Sequence, residues 1–174
     1  QRQMCIRDRK VTDAGVAQAV VVNTGIANAC TGQAGYENAA ETAKLAGEAL
    51  NISSDMVLVA STGVIGFTLP MDVIADGVKK LSGMLKSDVQ SAQDAAEAIL
   101  TTDTHPKQIA YETTIGGKTV TFGAMCKGSG MIHPNMGTML GFIMTDAAIS
   151  KNLLDKALKG SIEDTFNLSL IHIS

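Results

Sequence analysis

The chain has 174 residues, a net charge of −3 and few aromatic side chains (3%). This length accommodates one domain of ordinary size with a hydrophobic core. The slightly acidic balance and the scarcity of aromatic residues argue against a nucleic acid as partner, because binding one needs a basic surface or stacking platforms. No apolar run reaches the roughly 20 residues that a membrane-spanning helix requires, so we expect no membrane partner.

The two ends of the sequence differ in character from their neighbours. QRQMCIRDR mixes arginine with cysteine and methionine in no period, and LSLIHIS adds an apolar string to a helical segment. Both look like translated adapter sequence. We therefore expect residues 1–9 and 168–174 to be non-native, leave them out of the fold prediction, and interpret the remainder as an internal part of a longer protein.

The first half of the remaining chain alternates strand and helix patterns. The β-branched run at 16–23 predicts a buried strand, and the small polar residues at 24–35 predict a loop. An Ala- and Glu-rich segment at 36–50 has apolar residues at helical spacing. A second buried strand is predicted at 56–62, followed by a helix from Pro70 to about Leu85, since proline fits the first helical turn.

The second half contains a hairpin signal. A short helix is predicted at 94–100, and two strand patterns flank Gly116–Gly117, a typical two-residue hairpin turn. A central strand at 138–147 and a last helix at 150–167 follow. Because a hairpin interrupts the alternation of strands and helices, we predict an α/β fold in which a mixed sheet is layered with helices.

A flexible polar segment, KGSGMIHPNMGTML at 127–140, leads directly into the apolar strand predicted from Thr138. Threonine at a strand start ordinarily just favours β geometry. However, the Gly137–Thr138 peptide lacks a bulky residue on its N-terminal side, so its backbone can distort. A strained carbonyl beside a hydroxyl is what an N-to-O acyl shift requires, and cleavage there would create an N-terminal threonine nucleophile.

A second candidate is STGVIG at 61–66, which ends the predicted strand. It is either an ordinary turn with a capping threonine or an oxyanion hole. In the latter, the Gly63 N–H would approach a reacting carbonyl closely and the Thr62 hydroxyl would add a second donor.

Other polar residues allow two interpretations each. Lys127, beside Gly128, is either solvated or the partner of a substrate carboxylate. TTDTHPK at 101–107 is compatible with a plain turn. The cysteines have no metal-type spacing, and the histidines His105 and His133 lack a closely spaced third ligand, so we expect no metal site.

Four segments together resemble ornithine acetyltransferase, also called glutamate N-acetyltransferase, of arginine biosynthesis. They are, in the family's order, VVVNTGIANACTGQAG, VLVASTGVIGFTLPMD, AILTTDTHPK and KGSGMIHPNMGTML. The resemblance implies an α/β enzyme of the ornithine acetyltransferase type that cuts itself before Thr138. Residues 10–137 would then be the C-terminal part of an alpha chain, and 138–167 the start of a beta chain.

The resemblance also implies roles for single residues. Thr138 becomes the nucleophile, Thr62 and Gly63 form the oxyanion hole, and Thr101, Lys127 and Thr138 contact the amino-acid substrate. One departure is Gly137, where the family usually has alanine, which leaves the efficiency of cleavage open.

The implied reaction is acetyl transfer from N-acetylornithine to glutamate through an acetyl-threonine intermediate, with no bound cofactor and with acetyl-CoA as a donor in some members. The expected protein is cytoplasmic, with alpha and beta chains forming a heterotetramer. Two alternatives remain. One is a threonine-nucleophile amidase or aminopeptidase, and the other is an inert fragment.

Overall fold

The computed structural model describes residues 3–128, 139–162 and 164–166. It divides into two compact units, Gln1–Ala92 and Gln93–Ser174, with the boundary inside a helix. Gly137 and Thr138, the predicted cleavage site, lie outside the described residues. The prediction of cleavage and of the Thr138 nucleophile therefore stays a prediction.

The first unit combines a parallel strand pair with helices. A short 3₁₀ helix, Ser54–Met56, precedes its second strand. The elements in chain order are α1 (Gln3–Ala14), β1 (Ala19–Ile26), α2 (Gly32–Leu50), β2 (Val57–Val64) and α3 (Met71–Ser82).

The core of this unit lies between α2 and the strand pair. Alanines recur on one face of α2, and Ala43 and Ala46 are almost completely buried against Val57 and Val59 of β2. Small side chains allow the helix to approach the sheet closely, and the β-branched residues fill the pleated surface. This packing fixes β2, and β2 carries one of the two groups of predicted site residues.

Helix α1 was not predicted from the sequence. Its charged residues show no apolar period, but two adjacent side chains bind the outer edge of β2. Arg7 donates to the carbonyl of Val57, and the carboxylate of Asp8 accepts from the N–H of Val59 at 2.6 Å. These side chains satisfy backbone groups that a strand edge otherwise leaves open, and hydrophobic periodicity cannot reveal such a contact.

The second unit is built on an antiparallel sheet of order β3-β4-β5. Gly116 and Gly117 join β3 to β4 with φ values of 57° and 78°, as the predicted two-residue turn requires. The elements are α4 (Val89–Ala98), which crosses the boundary, β3 (Lys107–Ile115), β4 (Lys118–Lys127), β5 (Leu140–Thr145) and α5 (Lys151–Ile162).

The α/β class is confirmed, with parallel and antiparallel pairs in separate sheets of the described residues. Two strand predictions need correction. β1 runs on to Ile26, into the predicted loop, because its end pairs with β2 from Asn23↔Ser61 to Ile26↔Val64. β5 is an edge strand in the described part of the chain, not a central one, because β4 is its one strand neighbour there. Its apolar composition did not reveal this position.

Candidate active site

Thr62 and Gly63 lie near the end of β2, opposite Thr24 and Gly25 of β1. The two parallel strands thus bring two Thr-Gly dipeptides side by side in register. Thr62 is buried, with 5% of its surface exposed. A hydroxyl and a glycine N–H at the end of a buried strand are the groups that the oxyanion-hole prediction requires.

Gly63 approaches the neighbouring strand so closely that no side chain fits. Its φ is +132°, a conformation that residues with a Cβ rarely adopt. A Cβ built there would lie 2.3 Å from both the carbonyl carbon and the carbonyl oxygen of Gly25. The close approach explains why this position holds glycine.

Asn23 and Ser61 connect the two strands just before the Thr-Gly pairs. The Ser61 hydroxyl donates to Asn23 Oδ1 at 2.6 Å, and Asn23 Nδ2 donates to the carbonyl of Ile26 at 2.9 Å. Ser61 is almost completely buried, at 1% exposure. Asn23 was not singled out in the sequence, although the matching patterns NTG at 23–25 and STG at 61–63 are the signal that pairs them.

Lys127 and Thr101, the predicted substrate-binding residues, are in contact in the second unit. Lys127 ends β4 and is 5% exposed. Its Nζ donates to Thr101 Oγ1 at 3.2 Å. A buried ammonium with a hydroxyl beside it suits a substrate carboxylate. The structure brings the two residues together, and their role in binding substrate stays a prediction.

Asp103 organises the turn around this pair and was not predicted from the sequence, where 101–107 looked like a plain turn. Its side chain is completely inaccessible to solvent. Oδ1 accepts from Lys107 Nζ at 2.7 Å and from the Gly128 N–H at 2.8 Å, and Oδ2 accepts from the Thr101 N–H at 3.4 Å. The Asp-x-x-x-Lys spacing beside Thr101 is the signal that was available.

Two pKa shifts belong to this turn. Burial raises the pKa of the Asp103 carboxyl, but the hydrogen bonds that it accepts lower it by more, so its net pKa lies below the ordinary value. Burial also raises the pKa of Cys126, which pairs with Lys107 across β3 and β4. Asp103 is therefore a carboxylate at neutral pH, as its three donors require.

Within the described residues, no group of three or more His, Cys, Asp or Glu residues has the geometry to hold a metal ion. His105 Nε2 instead lies 3.1 Å from the hydroxyl of Thr104. No helix in the described ranges is both long enough and apolar enough to cross a membrane.

A family model described as the ArgJ family matches residues 3–172, nearly the whole sequence. The chain belongs to the ArgJ family. The four ordered segments and the two groups of site residues all lie within the matched region.

Curated ArgJ relatives agree over most of this chain. The arginine biosynthesis bifunctional protein ArgJ of Symbiobacterium thermophilum is 55% identical over 157 residues, which is 90% of this chain and 39% of the relative. That of Lactococcus lactis is 51% identical over 160 residues, or 92% of this chain and 39% of the relative. The chain thus spans about two fifths of the length of these ArgJ proteins.

Two solved structures of ArgJ-type proteins resemble the chain. The arginine biosynthesis bifunctional protein of Bacillus halodurans has a TM-score of 0.69 at 43% identity, covering 80% of this chain and 70% of the solved one. Ornithine acetyltransferase of Mycobacterium tuberculosis, solved with ornithine, has a TM-score of 0.62 at 28% identity. That match covers 86% of this chain and 69% of the solved one.

Proposed function

We propose that the full-length protein containing this sequence is an ornithine acetyltransferase that transfers an acetyl group from N-acetylornithine to glutamate. The observation that carries the proposal is the ArgJ family match over residues 3–172. The geometry supports it independently, because Thr62 and Gly63 are neighbours on β2 and the buried Lys127 contacts Thr101 at the end of β4.

The proposed enzyme generates its own nucleophile. The peptide between Gly137 and Thr138 is cut, and the freed amine of Thr138 takes the proton from its own hydroxyl.

In the proposed first half-reaction, the Thr138 oxygen bonds to the acetyl carbon of N-acetylornithine. The Thr62 hydroxyl and the Gly63 N–H stabilise the oxyanion. The carbon–nitrogen bond then breaks, and the ornithine nitrogen leaves with the proton held by the Thr138 amine. In the second half-reaction, the amine of glutamate attacks the acetyl-threonine ester, which yields N-acetylglutamate and restores the hydroxyl.

Thr101 and Lys127 hold the amino-acid part of the substrate in this proposal, with Thr138 completing the contact. The Lys127 ammonium pairs with the substrate's α-carboxylate, and the adjacent Thr101 hydroxyl adds a donor. No bound cofactor takes part. Acetyl-CoA is a second acetyl donor to glutamate if the full-length protein is bifunctional.

The proposed assembly is a cytoplasmic heterotetramer of alpha and beta chains. Residues 10–137 belong to the alpha chain, and 138–167 begin the beta chain. The chain spans only about two fifths of the length of its relatives. We therefore propose that the 174-residue chain alone is inactive.

The test is an acetyl-transfer assay on the purified full-length protein, with N-acetylornithine supplied with and without glutamate. We expect N-acetylglutamate and ornithine in equal amounts when glutamate is present. Release of acetate at the same rate without glutamate would instead assign the protein to the amidase alternative, in which water accepts the acetyl group.

A further inference from the structure

The turn at 101–107 closes over the end of β4 and fixes the backbone next to Lys127. The Gly128 N–H donates to Asp103 Oδ1 at 2.8 Å, and the Gly128 carbonyl accepts from Lys107 Nζ at 3.2 Å. The ion pair of Asp103 and Lys107 thus holds both the backbone N–H and the backbone carbonyl of Gly128. Because backbone groups are strong and directional partners, this arrangement restricts the chain where Lys127 leaves the strand.

The same carboxylate also holds the other member of the substrate pair. Asp103 Oδ2 accepts from the Thr101 N–H at 3.4 Å, while Thr101 Oγ1 accepts from Lys127 Nζ at 3.2 Å. Asp103 therefore contacts the main chain of Thr101 and of Gly128, the residue after Lys127. Its side chain is inaccessible to solvent, so water does not reach the acceptor oxygens directly.

We propose that Asp103, held by Lys107, is the positioning residue that sets Lys127 and Thr101 at the spacing that recognises the α-carboxylate of the amino-acid substrate. This inference rests on the proposed function, because it assumes that the pair binds substrate. Asp103 does not touch the substrate itself. It acts by fixing the two chain segments from which the binding groups project.

An asparagine at this position has nearly the same shape but lacks the necessary acceptors. The carboxylate uses both oxygens, one for Lys107 and Gly128 and the other for Thr101. In Asp103→Asn, one of these oxygens becomes an NH₂ group, which faces a donor instead of accepting from it. The variant therefore removes the negative charge and the contacts of one of the two oxygens, with little change in volume.

The test measures KM and kcat for N-acetylornithine and glutamate in the full-length protein, normalised to the fraction cleaved on a denaturing gel. For Asp103→Asn we expect KM to rise by about tenfold or more, with kcat changed far less, because misplaced binding groups lose binding shared by ground and transition states. Lys107→Met removes the ammonium that donates to Asp103 and to the Gly128 carbonyl, and should also raise KM. Lys107→Arg keeps a cation and should restore KM towards the wild-type value.

The matched control is Asp155→Asn. Asp155 also pairs with a lysine four residues later, at 2.7 Å, but both side chains are exposed. We expect wild-type KM and kcat from it. Unchanged KM in folded, cleaved Asp103→Asn would overturn the inference, and unchanged KM in Lys107→Met would do so if the first variant does not fold. A wild-type protein without acetyl transfer would instead refute the proposed function, and this inference with it.

Discussion

The α-carbon of Gly63 lies so close to the Gly25 peptide that a Cβ placed on it would be 2.3 Å from the Gly25 carbonyl carbon. Two backbones this close occupy the space where a side chain would go. The proposed oxyanion donor is therefore held by strand-to-strand contact and does not depend on a mobile loop.

We predict that Gly63→Ala destabilises the full-length protein by at least roughly 1–2 kcal/mol, since alanine disfavours the left-handed backbone region and collides with Gly25. Thermal or denaturant unfolding measures the change. Gly77→Ala is the matched control, because Gly77 lies inside α3 with open space around it. That variant should be stabilised by about 0.5–1 kcal/mol. Equal stability of Gly63→Ala and wild type would contradict the described strand contact.

Removing the Thr62 hydroxyl should slow the chemistry more than it weakens binding. We predict that Thr62→Ala lowers kcat by about 10²-fold with a smaller change in KM, as the loss of one transition-state donor does. Thr62→Ser keeps the hydroxyl and should retain most of the activity. Steady-state kinetics on folded, cleaved protein decide the matter, and a Thr62→Ala enzyme with wild-type kcat would remove this residue from the mechanism.

Self-cleavage predicts a simple difference on a denaturing gel. The full-length wild type should yield two chains. N-terminal sequencing should show that the C-terminal one of these chains begins with Thr138. Thr138→Ala should yield one chain, because no hydroxyl is available for the acyl shift. An uncut wild-type protein with full transferase activity would refute the cleavage proposal.

The lowered pKa of Asp103 predicts how stability depends on pH. A folded-state pKa below the unfolded value means that the unfolded chain binds a proton first as the pH falls. The stabilising contribution is therefore complete above the ordinary value of 3.8 and disappears as the pH falls through the folded pKa. We expect the Tm difference between wild type and Asp103→Asn to be largest from neutral pH down to about 5 and to shrink below about 4. A difference that grows on acidification would contradict this assignment.

Expressed alone, residues 10–167 should lack transferase activity and associate or aggregate. Large apolar side chains on the sheet and helix of the second unit are more than half exposed, among them Ile109, Tyr111, Ile143 and Leu153. Such surfaces, together with an edge strand, favour self-association. Size-exclusion chromatography and the acetyl-transfer assay test both parts. An active, monomeric 10–167 protein would show that these residues suffice.

The sequence predicted the features whose signals are local. Gly116–Gly117 indicated the hairpin because two consecutive glycines fit its two positive φ angles. The strand at Val57 was evident from its β-branched run. By contrast, α1 and the extended end of β1 depend on partners distant in sequence, the backbone of Val57 and the residues Ser61 to Val64.

The candidate site shows the same division. The substrate-binding assignment of Lys127 and Thr101 came from a resemblance over long motifs, whereas Asp103 looked like an ordinary turn residue. Its role depends on the Gly128 N–H, 25 residues away, and on complete burial of its side chain. Neither property leaves a periodic pattern in the sequence, because turn residues and buried acceptors share the same side-chain types.

The hairpin at Gly116–Gly117 has an effect far from its own position. It fixes nine cross-strand pairs, from Ile115↔Lys118 at the turn to Lys107↔Cys126 at the other end. Each pair adds about 3.3 Å, so the turn lies roughly 25–30 Å from the Asp103 arrangement. Inserting one residue at the turn would slip the register and reverse the faces of one strand. The Asp103–Lys107 ion pair would then no longer contact Gly128. A change of length in this distant turn would therefore alter the proposed substrate site.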